Sequence, residues 1–385
     1  MASSMKVLIT GGAGFIGSHL AKNLAASGHE VTLLDSFSPQ IHSDPEATQK
    51  RLKMVGHVVV GDVADRELMH RHLEAKDVVV HLAAETGTGQ SMYDIMRHER
   101  TNVQGTAVLA DYLVNNTASK IRKIVVASSR AVYGEGSYEC SAHGAFHPEG
   151  RGDADMAAGQ FDPMCPVCAR PMFCVPTPES APVLPTSFYG VTKYTQERML
   201  LVFARSLGID AFALRYQNVY GPGQSLSNPY TGILAIFSGL ARAGKTINIF
   251  EDGMESRDFV YIEDVVDATA QCIEAPMMGD AVALNIGSGI GTTVLDVANR
   301  INGFFGGRSP VKVTGAYRKG DIRHNIAALN AAHRALGFTP RWAFSDGLAK
   351  FLEWAGTSEE DSVAGYERSL TEMARLGLFV EGRSR

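Results

Sequence analysis

Short apolar runs rich in β-branched residues alternate with longer amphipathic stretches over the first 215 residues of the chain. Because a continuous apolar run is typical of a buried strand, we predict strands at 6–10, 30–35, 58–61, 77–82, 124–127 and 210–215. Helical periodicity between these runs predicts helices, among them 65–75 and 94–116. The alternation predicts an α/β fold with a doubly wound parallel sheet, whose ligands bind beyond the carboxyl ends of the strands.

The first predicted strand leads into a glycine-rich loop that opens an amphipathic helix. The loop reads Gly11-Gly-Ala-Gly-Phe-Ile-Gly17, and the next strand ends in Asp35. This order and spacing is that of a Rossmann-type dinucleotide-binding unit. We expect Gly14 to let a pyrophosphate approach the helix N-terminus, and Gly17 to let the helix pack closely on the strand. Asp35 favours NAD over NADP, because its carboxylate accepts from the ribose hydroxyls and would repel a 2′-phosphate.

Polar and small residues follow the other predicted strands. Asp62 follows the third strand, Ala83 and Ala84 follow the fourth, and Ser129 ends the fifth. Asp62 is suited to accept from an adenine amino group, and the alanines let a cofactor lie against the backbone. Asn102 lies inside a predicted helix, and a polar amide at such a position indicates a specific role. Taken singly, Asp62 and Asn102 are explained as well by turn chemistry and by an exposed helix face.

Tyr189 and Lys193 lie four residues apart at the start of an amphipathic helix, so they share a helix face. A phenol ordinarily titrates near pH 10, which is too high for a base at neutral pH. We expect the Lys193 ammonium to lower the pKa of Tyr189, and Ser129 to hydrogen-bond the same oxygen. The three residues predict a base that takes a proton from a sugar hydroxyl while a hydride leaves the same carbon. A chance pattern is the alternative, although only Tyr189 among twelve tyrosines has a lysine four residues later.

Composition excludes several classes of partner. The 385 residues are 45% apolar and 20% charged, which suits a globular protein with a large core and two lobes. The net charge of −5 leaves no basic field and argues against nucleic acid as a partner. No apolar run is long enough to span a membrane, and the residues before the first strand are too short and polar for a signal peptide. Five cysteines suit a reducing cytoplasm, which is the expected location.

Together these motifs resemble the extended short-chain dehydrogenase/reductases, and among them the NAD-dependent nucleotide-sugar epimerases and dehydratases. The resemblance extends from about residue 5 to about residue 350. Beyond the glycine loop, it is carried by Asp62-Val63, His81-Leu-Ala-Ala84, Asn102, Ser129 before Ala-Val-Tyr-Gly134, Tyr189-x-x-x-Lys193 and Arg215-Tyr-Gln-Asn218. It implies tightly held NAD, a catalytic set of Ser129, Tyr189 and Lys193, and a smaller C-terminal lobe that binds a nucleoside diphosphate sugar. It also implies a homodimer joined through two helices of each subunit, here 94–116 and 190–207.

The resemblance implies the residues that contact each ligand. Those implied for the cofactor are Gly11, Gly14, Phe15, Ile16, Gly17, Asp35, Asp62, Val63, Leu82, Ala83, Ala84, Asn102, Tyr189, Lys193 and Gln217. Those implied for the nucleotide sugar are Thr86, Gly87, Thr88, Gln90, Ser129, Arg130, Asn218, Arg257 and Arg323. For Arg257, a surface pair with Asp258 is the alternative to phosphate binding.

Sequence differences within the family favour one reaction. In the 4,6-dehydratases, Thr-Asp-Glu precedes Val-Tyr-Gly, and the two acids expel the 6-hydroxyl. Here the positions are Ser129, Arg130 and Ala131, so elimination lacks its acid and base. Segments 81–92, 221–237 and 320–324 resemble the dTDP-L-rhamnose 4-epimerase subgroup, which implies dTDP-6-deoxy-L-talose as product. Epimerisation of UDP-glucose or UDP-glucuronate, and a non-catalytic NAD-binding regulator, are the alternatives.

An insert at 136–178 departs from the family pattern and contains four of the five cysteines. Cys165-Pro-Val-Cys168 has the spacing of a zinc knuckle, which indicates a structural zinc ion. Cys140 and Cys174 would complete four sulfur ligands, with His143 and His147 as substitutes. The alternative is four reduced thiols in a mobile loop. Because the insert falls between Ser129 and Tyr189 in the sequence, we expect it to lie near the sugar and to act as a lid.

We therefore predict two lobes and a tail. The NAD-binding domain covers 5–215, carries the insert, and regains a strand and a helix from 247–275. The nucleotide-sugar lobe consists of 216–246 and 276–355. The tail at 356–385 holds one amphipathic helix, which we expect at the surface without an assigned function.

Overall fold

The computed structural model describes residues 4–228, 230, 232–358 and 363–382. The strands are β1 Lys6–Thr10, β2 Glu30–Asp35, β3 His57–Val60, β4 Val78–His81, β5 Lys123–Ser129, β6 Tyr138–Cys140, β7 Gly144–Phe146, β8 Phe173–Cys174, β9 Asp210–Tyr216, β10 Asn218–Tyr220, β11 Ile247–Ile249, β12 Ser256–Tyr261, β13 Ala281–Ile286, β14 Gly291–Thr293, β15 Val311–Val313, β16 Tyr317–Arg318 and β17 Phe379–Val380. The α-helices are α1 Phe15–Ala26, α2 Pro45–Leu52, α3 Arg66–Leu73, α4 Thr88–Ser91, α5 Ile95–His98, α6 Gly105–Asn115, α7 Asp153–Ala157, α8 Phe188–Leu207, α9 Ile233–Arg242, α10 Ile262–Glu274, α11 Val294–Phe304, α12 Asn330–Leu336, α13 Phe344–Thr357 and α14 Val363–Arg375. A π-helical segment at Glu99–Gln104 joins α5 to α6, and a 3₁₀ turn at Arg130–Tyr133 follows β5.

Seven parallel strands form the main sheet, in the order β3-β2-β1-β4-β5-β9-β13. The strand order reverses at β1, where Val7 lies opposite Val31 on one side and Val78 on the other. A crevice opens at such a reversal, beyond the carboxyl ends of the strands. The predicted Rossmann-type sheet is confirmed.

Alternate residues of the central strands serve two separate cores. In β1, Val7 and Ile9 pack with α1 residues such as Leu24 on one face, while Leu8 packs on the other face with Leu109 of α6. A sheet that is buried on both faces needs strands that are apolar throughout, which is why these runs do not alternate with polar residues. The rigid sheet then fixes the positions of the loops at its carboxyl edge.

One predicted boundary is wrong. The strand that returns to the main sheet is β13, which pairs in parallel with β9, and not a strand within 247–275. Within that range β11 pairs with β15, and β12 pairs with β10 and β14, in small sheets of the second lobe. The helix α10 returns as predicted and packs on α1. All six residues of β13 pair with β9, from Ala281 opposite Ala211 to Ile286 opposite Tyr216.

The remaining elements form the second lobe and the insert. Helices α9, α11, α13 and α14 surround the small sheets of the lobe, and the insert forms a three-stranded antiparallel sheet in the order β7-β6-β8. The tail is part of the lobe, because α14 packs on α9 and β17 pairs with β16. Over the described part of the chain, no helix has both the length and the apolarity that crossing a membrane requires.

Candidate active site

A cavity of about 1340 Å³ lies beyond the carboxyl edge of the main sheet, between the two lobes. Pockets for a single drug-sized ligand measure roughly 300–1,000 Å³, so this one has room for a cofactor and a second ligand. The predicted site residues that line it are Gly11, Gly14, Phe15, Ile16, Gly17, Asp35, Asp62, Val63, Leu82, Ala83, Ala84, Thr86, Gly87, Thr88, Ser129, Arg130, Tyr189, Lys193, Gln217, Asn218 and Arg257. Three predicted residues, Gln90, Asn102 and Arg323, lie outside the lining.

The glycine loop presents an uncapped helix N-terminus to the cavity. Gly14 is the N-cap of α1, no side chain caps the helix, and its first turn carries no acid. The first N–H groups are therefore available to phosphate oxygens. A Cβ on Gly17 would lie 2.4 Å from the carbonyl oxygen of Gly11, so only glycine lets the helix approach the loop this closely. These features fit a dinucleotide pyrophosphate.

Asp35 ends β2 beside this loop. Its carboxylate accepts hydrogen bonds from the backbone N–H of Ala13 at 3.0 Å and of Phe37 at 2.9 Å. The Nε2 atom of His42 lies 3.6 Å from Asp35 Oδ1. These contacts fix the carboxylate at the cavity wall with acceptor capacity to spare, as the hydroxyls of an adenosine ribose require. The donor and acceptor set therefore fits NAD.

Asn102 has a positioning role and does not face the cavity. It is buried in the π-helical segment, which divides the predicted helix 94–116 into three parts. Its side chain accepts from the backbone N–H of Glu85 at 2.8 Å, and it donates to the Glu85 carbonyl at 3.1 Å and to Thr192 Oγ1 at 2.9 Å. Asn102 thus ties the loop after β4 to helix α8, which explains a polar residue at this helical position.

The three predicted catalytic residues meet at the cavity. Ser129 ends β5, and Tyr189 and Lys193 lie in the first turns of α8. The side chain of Ser187 caps this helix by accepting from the backbone N–H of Gly190 at 3.2 Å. Helix and strand thus hold a phenol, an ammonium and a hydroxyl at one wall of the cavity.

The pKa of Tyr189 is set differently from the prediction. Burial raises the pKa of the Tyr189 phenol above its usual value, while a hydrogen bond with Ser129 and the charge of Arg130 oppose this rise. Lys193 is not among the groups that shift it. Its ammonium donates to Gln196 Oε1 at 2.7 Å, and burial lowers the pKa of Lys193 to about 7. In the protein chain by itself Arg130 supplies the favourable charge, and the predicted effect of Lys193 on Tyr189 stays a prediction.

A buried polar network holds Lys193 from behind. Gln196, which accepts from Lys193, donates through Nε2 to Thr106 Oγ1 at 2.9 Å, and His81 Nδ1 lies 2.8 Å from Thr10 Oγ1. Complete burial and the nearby Lys193 charge lower the pKa of His81 to about 3, so its imidazole is neutral. The network fixes the ammonium without placing a competing charge next to it.

Three arginines line the far end of the cavity around one carboxylate. Arg257 Nη2 lies 3.3 Å from Asp321 Oδ1, and Arg318 Nη2 lies 2.7 Å from Asp321 Oδ2. Burial acts to raise the pKa of Asp321, yet Arg318, Arg257 and Arg130 contribute to holding it well below the usual value. The cluster keeps an excess of positive charge, as a diphosphate requires. The alternative pair of Arg257 with Asp258 is not formed, because Asp258 accepts from backbone N–H groups.

Arg323, a predicted substrate ligand, is used elsewhere. Its guanidinium is buried and donates to Asp162 at 2.8 Å, to Glu251 at 2.9 Å and to Asp252 at 2.6 Å. Sequence reasoning missed Arg318, which lines the cavity in its place. The signal was present, since Arg318 lies only two residues before Gly320 in the same segment.

The opposite side of the cavity combines two separate segments. Thr86, Gly87 and Thr88 line it as predicted. Gln90 lies one layer behind, where its Oε1 accepts from Gln40 Nε2 at 3.1 Å, and Gln40 itself reaches the cavity. The tail, to which no function was assigned, contributes to the lining through Tyr366, Ser369, Met373 and Leu378.

The insert does not line this cavity. No residue of 136–178, all of which the structure describes, contributes to its lining, so the predicted lid is not found. Of the four predicted sulfur ligands, Cys140, Cys165 and Cys168 lie together with His143, whereas Cys174 lies apart from them.

Comparisons with known proteins agree with this geometry. The family described as the NAD dependent epimerase/dehydratase family matches residues 7–150 and 168–287, and the gap falls within the insert. A dTDP-L-rhamnose 4-epimerase of Burkholderia thailandensis is 39% identical over 363 residues, covering 92% of this chain and 96% of its own. The structure of MoeE5 in complex with UDP-glucuronic acid and NAD has a TM-score of 0.71 at 30% identity, covering 91% and 99% of the two chains. A UDP-glucose 4-epimerase with UDP-glucose from Thermotoga maritima has a TM-score of 0.72 at 30% identity, covering 91% and 98%.

Proposed function

The chain belongs to the NAD-dependent epimerase/dehydratase family, and we propose that it is a nucleotide-sugar 4-epimerase that interconverts dTDP-L-rhamnose and dTDP-6-deoxy-L-talose. The observation that carries this proposal is the arrangement of the cavity. Ser129, Tyr189 and Lys193 line one cavity together with an uncapped glycine-loop helix and a cluster of arginines. A dinucleotide fits the helix N-terminus, and a sugar diphosphate fits the arginines.

Different residues of the chain bind the cofactor and transfer the proton. The N-terminus of α1 and Asp35 would hold the pyrophosphate and adenosine ribose of NAD. When bound, NAD would supply a reversible hydride acceptor for C4 of the sugar, and return of the hydride to the opposite face would invert C4 with no net oxidation. Tyr189 takes the proton of the 4-hydroxyl and gives it back, with Ser129 bonded to its oxygen. Arg130 favours the phenolate, and Lys193 is held nearby by Gln196.

The second lobe supplies the contacts for the substrate. Arg257 and Arg318 offer planar donor groups to the diphosphate, and their contacts with Asp321 hold them in place. Asn218 also lines the cavity, and its side-chain amide donates to the Asp258 carbonyl at 3.1 Å. The sugar would then lie against Thr86–Thr88.

Two observations support this reaction among those of the family. Arg130 and Ala131 follow Ser129, so no carboxylate stands at the end of β5 to expel a 6-hydroxyl. The 39% identity to a dTDP-L-rhamnose 4-epimerase supports a dTDP-6-deoxysugar over UDP-glucose or UDP-glucuronate. The intact set of Ser129, Tyr189 and Lys193 argues against a non-catalytic regulator.

The assembly we propose is a homodimer in the cytoplasm. The two predicted interface helices expose apolar side chains to solvent: Ile95, Met96, Val114, Val191 and Val202. A second copy of the chain would cover them, and a solution mass of twice 41.4 kDa would support this. All five cysteines are unpaired, which supports a reducing compartment.

A panel of nucleotide sugars tests the proposed reaction. The enzyme is incubated with dTDP-L-rhamnose, UDP-glucose, UDP-glucuronate and dTDP-glucose without added reductant, and products are followed by NMR. We expect C4 inversion of dTDP-L-rhamnose alone. Tyr189→Phe should lower the rate by roughly 10²–10⁴-fold while NAD stays bound. Inversion of a UDP-sugar only, or loss of a 6-hydroxyl from dTDP-glucose, would refute the proposal.

A further inference from the structure

Four potential metal ligands converge in the insert, away from the cavity. The ligand atoms of Cys140, His143, Cys165 and Cys168 all lie within 4.8 Å of one another. His143 Nδ1 is 3.5 Å from the sulfur of Cys140 and 3.5 Å from that of Cys165, and the sulfurs of Cys140 and Cys168 are 3.7 Å apart. A tetrahedral zinc ion holds two sulfurs roughly 3.8 Å apart and a sulfur and a nitrogen roughly 3.5 Å apart, given its bond lengths. These three separations match those of a zinc coordination shell.

The same separations exclude a disulfide as the reason for the convergence. The sulfurs of a disulfide are about 2.05 Å apart, far closer than these. All the cysteines of the chain are unpaired. Three thiols and an imidazole therefore face a common centre that one ion would fill.

The backbone around the four ligands forms two turns with the same spacing of ligands. Gly144 follows Cys140-Ser-Ala-His143 with a φ of 77°, and Ala169 follows Cys165-Pro-Val-Cys168 with a φ of 52°. The N–H of His143 bonds to the Cys140 carbonyl at 3.2 Å, and that of Ala169 bonds to the Cys165 carbonyl at 2.9 Å. An alanine in this conformation is uncommon and indicates a constrained turn.

Backbone N–H groups in both turns point at the sulfurs. Those of Ala142 and His143 donate to the sulfur of Cys140. Those of Val167 and Cys168 donate to the sulfur of Cys165, and that of Arg170 donates to the sulfur of Cys168. Such donors stabilise thiolates, the form that binds a metal ion.

The insert has too small an apolar core to hold these turns by packing alone. Its separate cluster contains four buried residues, Tyr138, Cys140, Cys165 and Met172, and two of them are proposed ligands. Units of this size usually need a disulfide or a metal ion to fold. A metal ion would join the two turns and supply what the core lacks.

We propose that Cys140, His143, Cys165 and Cys168 bind one structural zinc ion. Thiolate and imidazole ligands in tetrahedral arrangement select zinc, and four protein ligands leave no position for a reacting water. The site differs from the sequence prediction in one ligand, because His143 takes the place expected for Cys174. This assignment does not depend on the substrate of the enzyme.

The zinc site would stabilise the arginine end of the cavity through the rest of the insert. Arg151 is buried, and it pairs with Glu135 at 3.0 Å and Glu251 at 2.8 Å, while its Nη2 donates to the Asp321 carbonyl at 2.8 Å. Asp162 of the insert pairs with Arg323 at 2.8 Å. Loss of the metal would therefore loosen the backbone that carries Asp321 and Arg318.

Metal analysis of the full chain tests the site. Protein purified without added metal and with thiol protection is assayed by mass spectrometry for zinc and iron. We expect one zinc per chain in the wild type and in Cys174→Ser, and less than a tenth of that in Cys168→Ser. His143→Asn should lose zinc more readily to a chelator than His147→Asn, whose side chain lies outside the cluster.

Two further results decide the outcome if Cys168→Ser fails to fold. In the wild type, a mercurial reagent that blocks thiols should release zinc as three cysteines react, and cobalt substitution should give the absorption of a tetrahedral thiolate site. A wild type with reduced thiols and no zinc would overturn the proposal. So would iron in its place, equal zinc in Cys168→Ser and Cys174→Ser, or zinc that a chelator removes without exposing any thiol.

Discussion

Two cationic side chains line the cavity near Tyr189, and they differ in their effect on its phenol. Arg130 lowers the pKa of Tyr189, whereas Lys193 is held by Gln196 and does not shift it in the protein chain alone. The sequence spacing correctly predicted that Tyr189, Lys193 and Ser129 would meet. It did not predict which charge acts on the phenol. That depends on the positions of side chains in two different elements, and the spacing of residues along one helix gives no information about them.

Replacing Arg130 tests this electrostatic assignment. Because Arg130 favours the phenolate, Arg130→Ala should raise the pKa of Tyr189. The rising limb of the pH profile for kcat should then move to higher pH. Arg130→Lys keeps the charge and should shift the limb less. An unchanged limb in Arg130→Ala would show that Arg130 does not act on the phenol.

At the scale of elements, the glycine loop and α1 form a unit whose geometry depends on one contact. The spacing of the glycines predicted this unit, because each glycine marks a position where the backbone turns tightly or approaches another group closely. It did not predict that α14 lines the cavity or that Arg318 replaces Arg323 there. Both features depend on how segments that are distant in the sequence pack together. The periodicity within one segment does not indicate which other segments it contacts.

Gly17→Ala tests the contact between helix and loop. Its Cβ would lie 2.4 Å from the Gly11 carbonyl oxygen, so α1 must shift away from the loop and from the bound pyrophosphate. We expect NAD affinity to fall at least tenfold, about 1.4 kcal/mol. Gly303→Ala in α11 is the matched control, because its Cβ would meet no atom within 4 Å. Equal NAD affinity in both variants, measured by calorimetry, would contradict the role of this close approach.

At the scale of the whole molecule, two lobes and an insert meet through buried charges. Arg151 of the insert forms an ion pair with the second lobe, and Arg323 of that lobe forms an ion pair with the insert. Asp321 of the same lobe pairs with Arg257 and lines the cavity. The parallel sheet was predictable because continuous apolar runs identify buried strands. The return of β13 instead of a strand within 247–275 was not, because an apolar run does not indicate which of two sheets its strand joins, and β12 and β13 are both six-residue strands.

The most direct test of the account follows the C4 hydrogen of the substrate in heavy water. Wild-type enzyme is incubated with dTDP-L-rhamnose in D₂O without added reductant, and the product is examined by NMR and mass spectrometry. If Tyr189 exchanges only the hydroxyl proton while the carbon-bound hydrogen leaves and returns as hydride, dTDP-6-deoxy-L-talose should form with its original hydrogen at C4. Deuterium at C4, or no inversion of dTDP-L-rhamnose, would contradict the account.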